Sequence, residues 1–450
     1  MLAVAALVVA LGAAVGTVLL APGLLGTWTV RGAGGVPASV TTPWAWQASV
    51  QDSPPGPSSL IFTGGAAPLV HEDTGRITAV GRDGTYRTVY PDHGTWTAGG
   101  NAHLSPDGRY VASMRLHGTA SQASVTDLTT GEVRNLSGWR DSDVHAVYGW
   151  RPDSGAVAIG FRSGGRLGPL SLGVLDLATG QTRPTGLIGS VPELAGDVRA
   201  FFSPDGRRVA VIVGPIMVLY DTASSTPTEH GGDPHWNALL DTRRHVSSAL
   251  FTPDGRRIAL LGAPTCAPLI CSGSRDWTVS YLDAATGQRT EGQRLPTLRA
   301  AATRLVGWNE TTGGLVVVGL TGGPPLSVSD RMESPLVEPR AADVYELLPG
   351  AEPRLLVDAP QQVTGLDIAA DLVRAGRFGG RPSMPSLWPF GRSPVDPVKA
   401  AVVTGILAAV GVVVAVRRWQ GRRRRGRHAA GLFRPRPRSA RSSVGGGTGH

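Results

Sequence analysis

One phrase recurs along the chain and constrains its fold more than any bulk property does. It reads "HLSPDGRYVASM" at His103–Met114, "FFSPDGRRVAVI" at Phe201–Ile212 and "LFTPDGRRIALL" at Leu250–Leu261, with a degenerate copy, "GWRPDSGAVAIG", at Gly149–Gly160. In each copy an apolar stretch meets Ser/Thr/Arg-Pro-Asp and then a run of small and β-branched residues. Asp-Gly supplies the positive φ that a tight hairpin needs, and proline is excluded from the centre of a sheet. The phrase therefore predicts strand, turn, strand, with Asp107-Gly108, Asp205-Gly206 and Asp254-Gly255 as structural turn residues rather than acids or bases.

A second piece follows each copy: "SVTDLTTGEV", "GVLDLATGQT", "MVLYDTASST" and "SYLDAATGQR". An apolar run ending in Asp and a Thr-Gly or small polar turn reads as a third strand entering another hairpin. One unit thus holds about four short strands. The turn residues Asp107, Asp153, Asp205 and Asp254 are spaced by 46, 52 and 49 residues, and periods of this size mean stacked or radial repeats. A four-stranded meander cannot bury both its faces alone, so a ring of sheets, each packed on its neighbours, is the economical solution. With 61 Gly, 35 Pro and only 17% charged residues, the composition also favours strands and turns over long amphipathic helices. The expected fold class is all-β, a β-propeller. Five units lie at 100–137, 145–185, 197–229, 246–291 and 303–357. A sixth joins "LIFTGG" and "ITAVGRDGTYRTVY" near the start to "VTGLDIAADLVRAGRF" near the end, so that both ends close the ring. Six blades is the count; seven is the alternative.

The SPDGR phrase followed by an apolar strand resembles the WD40-like PD40 repeat of TolB-type propellers, over roughly Ser58 to Phe378. The Trp-Asp dipeptide and Gly-His signature of true WD40 repeats are missing. By analogy alone, the resemblance implies an interaction role in a cell envelope.

The ends read differently. No charged residue occurs from Leu2 to Val30, and "LAVAALVVALGAAVGTVLL" is long enough to span a bilayer, so 1–30 is either a signal sequence or an N-terminal anchor. "AAVVTGILAAVGVVVAV", Ala400 to Val416, lies between Lys399 and seven arginines within eleven residues. Seventeen helical residues cover about 26 Å, the lower limit of a span. We therefore expect a transmembrane helix at 398–416, an Arg-rich disordered cytoplasmic tail at 417–450, and everything between the two apolar runs outside the cytoplasm. Gly/Pro/Ser-rich linkers, extended and poorly packed, are expected at 31–57 and 379–397, flanking a propeller at 58–378. Of the net charge of +9, the tail contributes eleven arginines and no acid, which leaves the first 416 residues at −2. The body lacks the basic footprint that nucleic-acid binding requires, whereas the helix and the tail suit contact with membrane lipid. Cys266 and Cys271 are five positions apart in a turn-rich segment and are expected to form a disulfide in an oxidising compartment.

Function is expected on the face opposite the short turns. From turn Asp to third-strand Asp the gaps are 20, 23, 16 and 29 residues, and loops of varying length on a rigid scaffold are the usual seat of recognition. The binding candidates there are His230, Asp233, His235, Trp236, Arg275 and Trp277. Three potential ligands in one loop without a fourth do not make a metal site, and no motif calls for a cofactor or a catalytic residue. The leading reading is a binding module for an envelope protein or cell-wall component. The rival is a hydrolase or lyase working in the central channel, which would need convergent carboxylates or a nucleophile with its base.

Overall fold

A computed structural model describes residues 34–381, apart from 44–46, 65–75, 90–96, 118–119, 137–142, 163–168, 190–197, 223–233, 266–272, 323–338 and 361. The apolar runs at 1–30 and 398–416 and the arginine tail lie outside these residues. Among the described residues no helix is long and apolar enough to cross a membrane.

The described strands form six antiparallel sheets, each a meander running outward from the centre of a ring. Blade 6 holds the first strands in the chain, β1 (Ser58–Gly64), β2 (Ile77–Gly81) and β3 (Tyr86–Thr88). Blade 1 is β4 (Ala102–Leu104), β5 (Tyr110–His117), β6 (Ala120–Asp127) and β7 (Val133–Leu136). Blade 2 is β8 (Asp143–Trp150), β9 (Ala156–Arg162), β10 (Leu170–Asp176) and β11 (Thr182–Gly189). Blade 3 is β12 (Val198–Phe202), β13 (Arg208–Val213), β14 (Ile216–Asp221) and β15 (Trp236–Leu239). Blade 4 is β16 (Arg244–Phe251), β17 (Arg257–Pro264), β18 (Arg275–Asp283) and the short β19 (Arg289–Thr290), with β20 (Leu298–Ala300) also pairing to β18. Blade 5 is β21 (Ala302–Asn309), β22 (Gly314–Gly322), β23 (Pro339–Leu347) and β24 (Arg354–Val357). The chain then returns to blade 6, where β25 (Val363–Ile368) pairs with β1 as the innermost strand. A short helix, α1 (Ala370–Arg374), follows it. Six blades, the sixth shared by both ends, match the count read from the repeats.

The blades cohere through apolar layers between neighbouring sheets rather than through one central core. Ala210, Ile212 and Leu219 of blade 3, for example, pack on Phe251, Ile258 and Leu260 of blade 4. Because the inner strands of a blade are covered on both faces, the second strands β1 and β9 and the third strand β2 are buried at every position, and their sequences read as apolar or small runs instead of alternating.

The segment expected as an unpacked N-terminal linker is a strap. Val36, Val40 and Val50 are fully or almost fully buried. Val50 N donates to Thr88 O at 2.8 Å and Thr88 N to Ala48 O at 3.0 Å, which makes a parallel bridge at the open edge of β3. Upstream, Val36 N donates to Arg377 O at 2.8 Å and Asp358 N to Ala38 O at 2.9 Å, so 36–40 is held by chain from blade 5 and from just after α1. The start of the expected second linker is engaged as well, since Gly380 N donates to Val36 O at 3.0 Å. Burial of the valines and the open backbone groups of an edge strand outweighed the Gly/Pro/Ser composition.

Candidate functional site

The repeated turns share one construction. In blade 3 Ser203 Oγ donates to Asp205 Oδ1 at 2.5 Å, the same carboxylate oxygen accepts Arg207 N at 3.1 Å, and Gly206 N closes on Ser203 O at 2.8 Å. Blades 1 and 4 repeat this with Ser105-Asp107 and Thr252-Asp254. Gly108, Gly206 and Gly255 stand at φ +74°, +68° and +67°. The degenerate copy keeps the shape: Ser154 takes the left-handed position at φ +61°, and Asp153 accepts Gly155 N at 2.9 Å. Hydrogen bonding to the Ser203 and Thr252 hydroxyls, followed by backbone N–H donation, holds the Asp205 and Asp254 carboxyls below the usual carboxylate range. Each of these carboxylates is occupied in shaping its own turn.

These turns join first to second strands, and the Asp-x-x-x-Gly turns at Asp127, Asp176 and Asp283 join third to fourth. Both sets therefore lie on one face, the turn face. The second-to-third connections and the blade-to-blade connections form the opposite loop face. Sequence reasoning placed all six binding candidates on the loop face, and the structure divides them. Blade 3 turns from β13 to β14 through Gly214-Pro215 alone, with Gly214 at φ +54°, so its long insertion falls between its third and fourth strands, on the turn face. His230 and Asp233 lie in 223–233, outside the described residues. His235 and Trp236 stand at the start of β15, where Trp236 Nε1 donates to Ala284 O in the adjoining turn of blade 4 at 3.1 Å. Arg275 and Trp277 do belong to the loop-face end of β18. Trp277, however, is wholly buried, with Nε1 bonded to Ala300 O at 3.0 Å, the Arg275 guanidinium 4.7 Å from its ring centroid and His245 edge-on to it. It anchors packing and leaves Arg275 as the more accessible of the two. Cys266 and Cys271 lie outside the described residues.

The residues that sequence reasoning did not single out line the channel. The innermost strands β4, β8, β12, β16, β21 and β25 enclose a cavity of about 300 Å³. Each carries a large buried residue at its end, Leu104, Trp150, Phe202, Phe251 or Ile368, or one position before it, Trp308 in β21. The residue just before it lines the cavity: His103, Gly149, Phe201, Leu250, Gly307 and Asp367. Phe201 and Leu250 give blades 3 and 4 an apolar wall. On the other side Arg304 Nη2 meets Asp367 Oδ1 at 3.0 Å and also donates to Leu366 O. Asp367 Oδ2 accepts Leu104 N at 2.9 Å, so this carboxylate ties the closing strand to blade 1 and to blade 5. His103 Nε2 stands 3.0 Å from Gly100 O. Burial, partly offset by Asp367 and reinforced by Arg304, lowers its pKa and keeps the ring neutral at pH 7. The signal for this layer was present in the repeat, one position before each bulky residue, but which neighbour faces the axis is fixed only by the ring.

Fold and channel together define a six-bladed β-propeller closed by both ends of its chain. No family model and no curated protein matches the sequence. Among solved structures the chain is similar to TolB from Acinetobacter baumannii (14% identity, TM-score 0.43, covering 69% of this chain and 65% of that one). It is also similar to an oligogalacturonate lyase in complex with manganese (13%, TM-score 0.40, 68% and 74%) and to the β-propeller domain of the Trilobed protease from Pyrococcus furiosus (12%, TM-score 0.33, 63% and 90%). The chain thus spans just under two thirds of the length of the Acinetobacter TolB. Likeness at these values carries no argument about activity.

Proposed function

We propose that the chain is a membrane-tethered, extracytoplasmic propeller that binds an envelope protein or cell-wall component through its variable loop face. The observation that carries this reading is the contrast between the two faces. Apart from the blade 3 insertion between β14 and β15, one is built from short turns that recur in several blades and are internally hydrogen-bonded. On the other, the connections between second and third strands run from two residues in blade 3 to the sixteen between β22 and β23. The apolar runs at both ends and the arginines after Val416 support the tether and its orientation, with lipid contacted by the helix and the tail. The rival reading of a channel hydrolase or lyase asks for two convergent carboxylates or a nucleophile with its base. Asp367 is instead engaged by three donors, and Glu310, the other channel-lining acid, sits exposed beyond Trp308.

A photo-crosslinking residue placed at Thr265 or Arg275 on the loop face is expected to capture a partner in intact cells, whereas the same residue at Asp254 on the turn face is not. Capture from Asp254 alone would move the interface to the other side of the ring. Protease added to spheroplasts should cut the region between the apolar runs and spare a tail epitope.

A further inference from the structure

We propose that a cavity between blades 3 and 4 on the loop face is a binding site for an anionic group, a carboxylate or a phosphate carried by the partner, with Arg244 receiving it. The inference rests on the loop-face reading and names the chemistry of one of its contacts. The cavity measures about 290 Å³, and its lining includes Arg199, Pro215, Arg244, His245 and Thr265. It lies at the starts of β12 and β16 and the end of β17, where blade 3 contributes only the two-residue turn Gly214-Pro215. Small-molecule pockets begin at roughly 300 Å³, so this one takes a head group rather than a whole ligand.

Three features set the chemistry. The half-buried Arg244 guanidinium is anchored through one nitrogen, Nη2, which donates to Gly262 O at 2.5 Å and to Thr278 Oγ1. Its Nη1 and Nε make no hydrogen bond to any described residue, so donors that a carboxylate or phosphate engages in pairs are left for the cavity. Both acceptors of Nη2 are neutral, and among the described residues Arg244 enters no ion pair. The acid nearest to it in sequence, Asp241, is turned to Arg289 Nη2 at 3.3 Å and to Arg243 N at 3.0 Å. Arg199 brings a second guanidinium to the lining, and the segment 266–272 that follows Thr265 carries no charged residue. A neutral ligand would leave the Arg244 charge uncompensated, whereas an anion gains charge-assisted hydrogen bonds in a site partly removed from water. Because the Nη2 bonds already hold the side chain, little rotamer freedom remains to be lost on binding.

Propionate, methyl phosphate and propionamide are comparably small and differ in head group. Saturation-transfer NMR with the full-length protein in maltoside micelles, blanked against empty micelles, is expected to show saturable binding of at least one of the two anions, roughly tenfold or more tighter than of propionamide. Whichever anion binds tighter assigns the source of the charge to a carboxylate or to a phosphate. Arg244→Gln is expected to weaken that binding roughly tenfold, whereas Arg243→Gln, which removes the same charge from the exposed neighbour outside the lining, leaves it almost unchanged. Thr265→Phe, which narrows the cavity, is expected to weaken it several-fold and serves if Arg244→Gln does not fold. Absence of saturable anion binding, equal binding of propionamide, equal losses in the two arginine variants, or binding unchanged in the folded cavity variants would overturn the proposal. The two readings fail separately. Partner capture from Thr265 at full yield in Arg244→Gln would overturn the anionic contact and keep the loop face, whereas anion binding without capture from Thr265 or Arg275 would keep the anion site and overturn the loop-face reading.

Discussion

Gly108, Gly206 and Gly255 hold the same position in three blades, yet their surroundings differ. A β-carbon on Gly108 would collide with the Ser58 carbonyl oxygen, and Ser58 N donates to Gly108 O at 2.8 Å, so the turn is pinned to the backbone of blade 6. On Gly206 it would meet the Arg151 side chain at 2.9 Å, which can swing aside, and on Gly255 only Pro204 Cδ at 3.7 Å. Identical repeats alone would predict equal sensitivity; the packing predicts an order. Alanine at 206 or 255 should cost about 1 kcal/mol for its positive φ, while alanine at 108 should cost about 3 kcal/mol. Urea melts of the three variants read this directly. Asp205→Asn should be mild at pH 7, since asparagine keeps the turn preference; loss of function there at unchanged stability would favour the catalytic reading. Acid should expose the same carboxylates. Asp205 and Asp254 titrate lower folded than unfolded, so their stabilisation is complete above the unfolded value of about 3.9 and is lost as pH falls through the folded one. Melting temperature should drop below about pH 4, and the double variant Asp205→Asn/Asp254→Asn should show a shallower acid limb.

At the scale of elements, edges decide which segments are ordered. An outer strand leaves a row of unpaired backbone groups, and β3 recruits residues 48–50 to cover its own. The strap also buries Val36, Val40 and Val50, each contributing roughly 1.5 kcal/mol or more by area removed from water. Deleting residues 34–53 should therefore lower stability by about 4 kcal/mol and expose β3 to edge-to-edge association, seen as a lower melting temperature together with concentration-dependent oligomers by light scattering. Indole groups act similarly between blades. Trp150 Nε1 donates to His103 O at 2.8 Å and Trp308 Nε1 to Phe251 O at 3.0 Å, each reaching the innermost strand of the preceding blade.

For the whole molecule the critical event is closure. β25 is distant in sequence from its partner β1, and its Asp367 bonds blade 1 and blade 5 at once. A ring lacking this strand would expose the inner edge of β1 and leave Arg304 without its partner. Truncation after Pro360 should abolish the cooperative thermal transition, whereas truncation after Arg392 should leave it intact. Asp367→Asn should cost about 3 kcal/mol, because one member of a largely buried pair stays behind uncompensated. Differential scanning calorimetry distinguishes a lost transition from a shifted one.

The repeats by themselves determined the all-β class, the blade count, the shared sixth blade and the turn positions, because turn chemistry and hydrophobic runs are local and recur at one period. Blade 3 shows where local reading stops. "MVLYDTASST" looks like its counterparts, but the two-residue Gly214-Pro215 turn shifts the insertion to the other face and takes His235 and Trp236 with it. Trp277, which reads as a loop residue, is drawn into the layer between blades 4 and 5. Only the tertiary structure could bring His103, Phe201, Leu250, Arg304 and Asp367 around one cavity. These residues lie up to 264 positions apart, and what joins them is the rotation of six sheets about a common axis, a relation between blades that no stretch of sequence within one blade encodes.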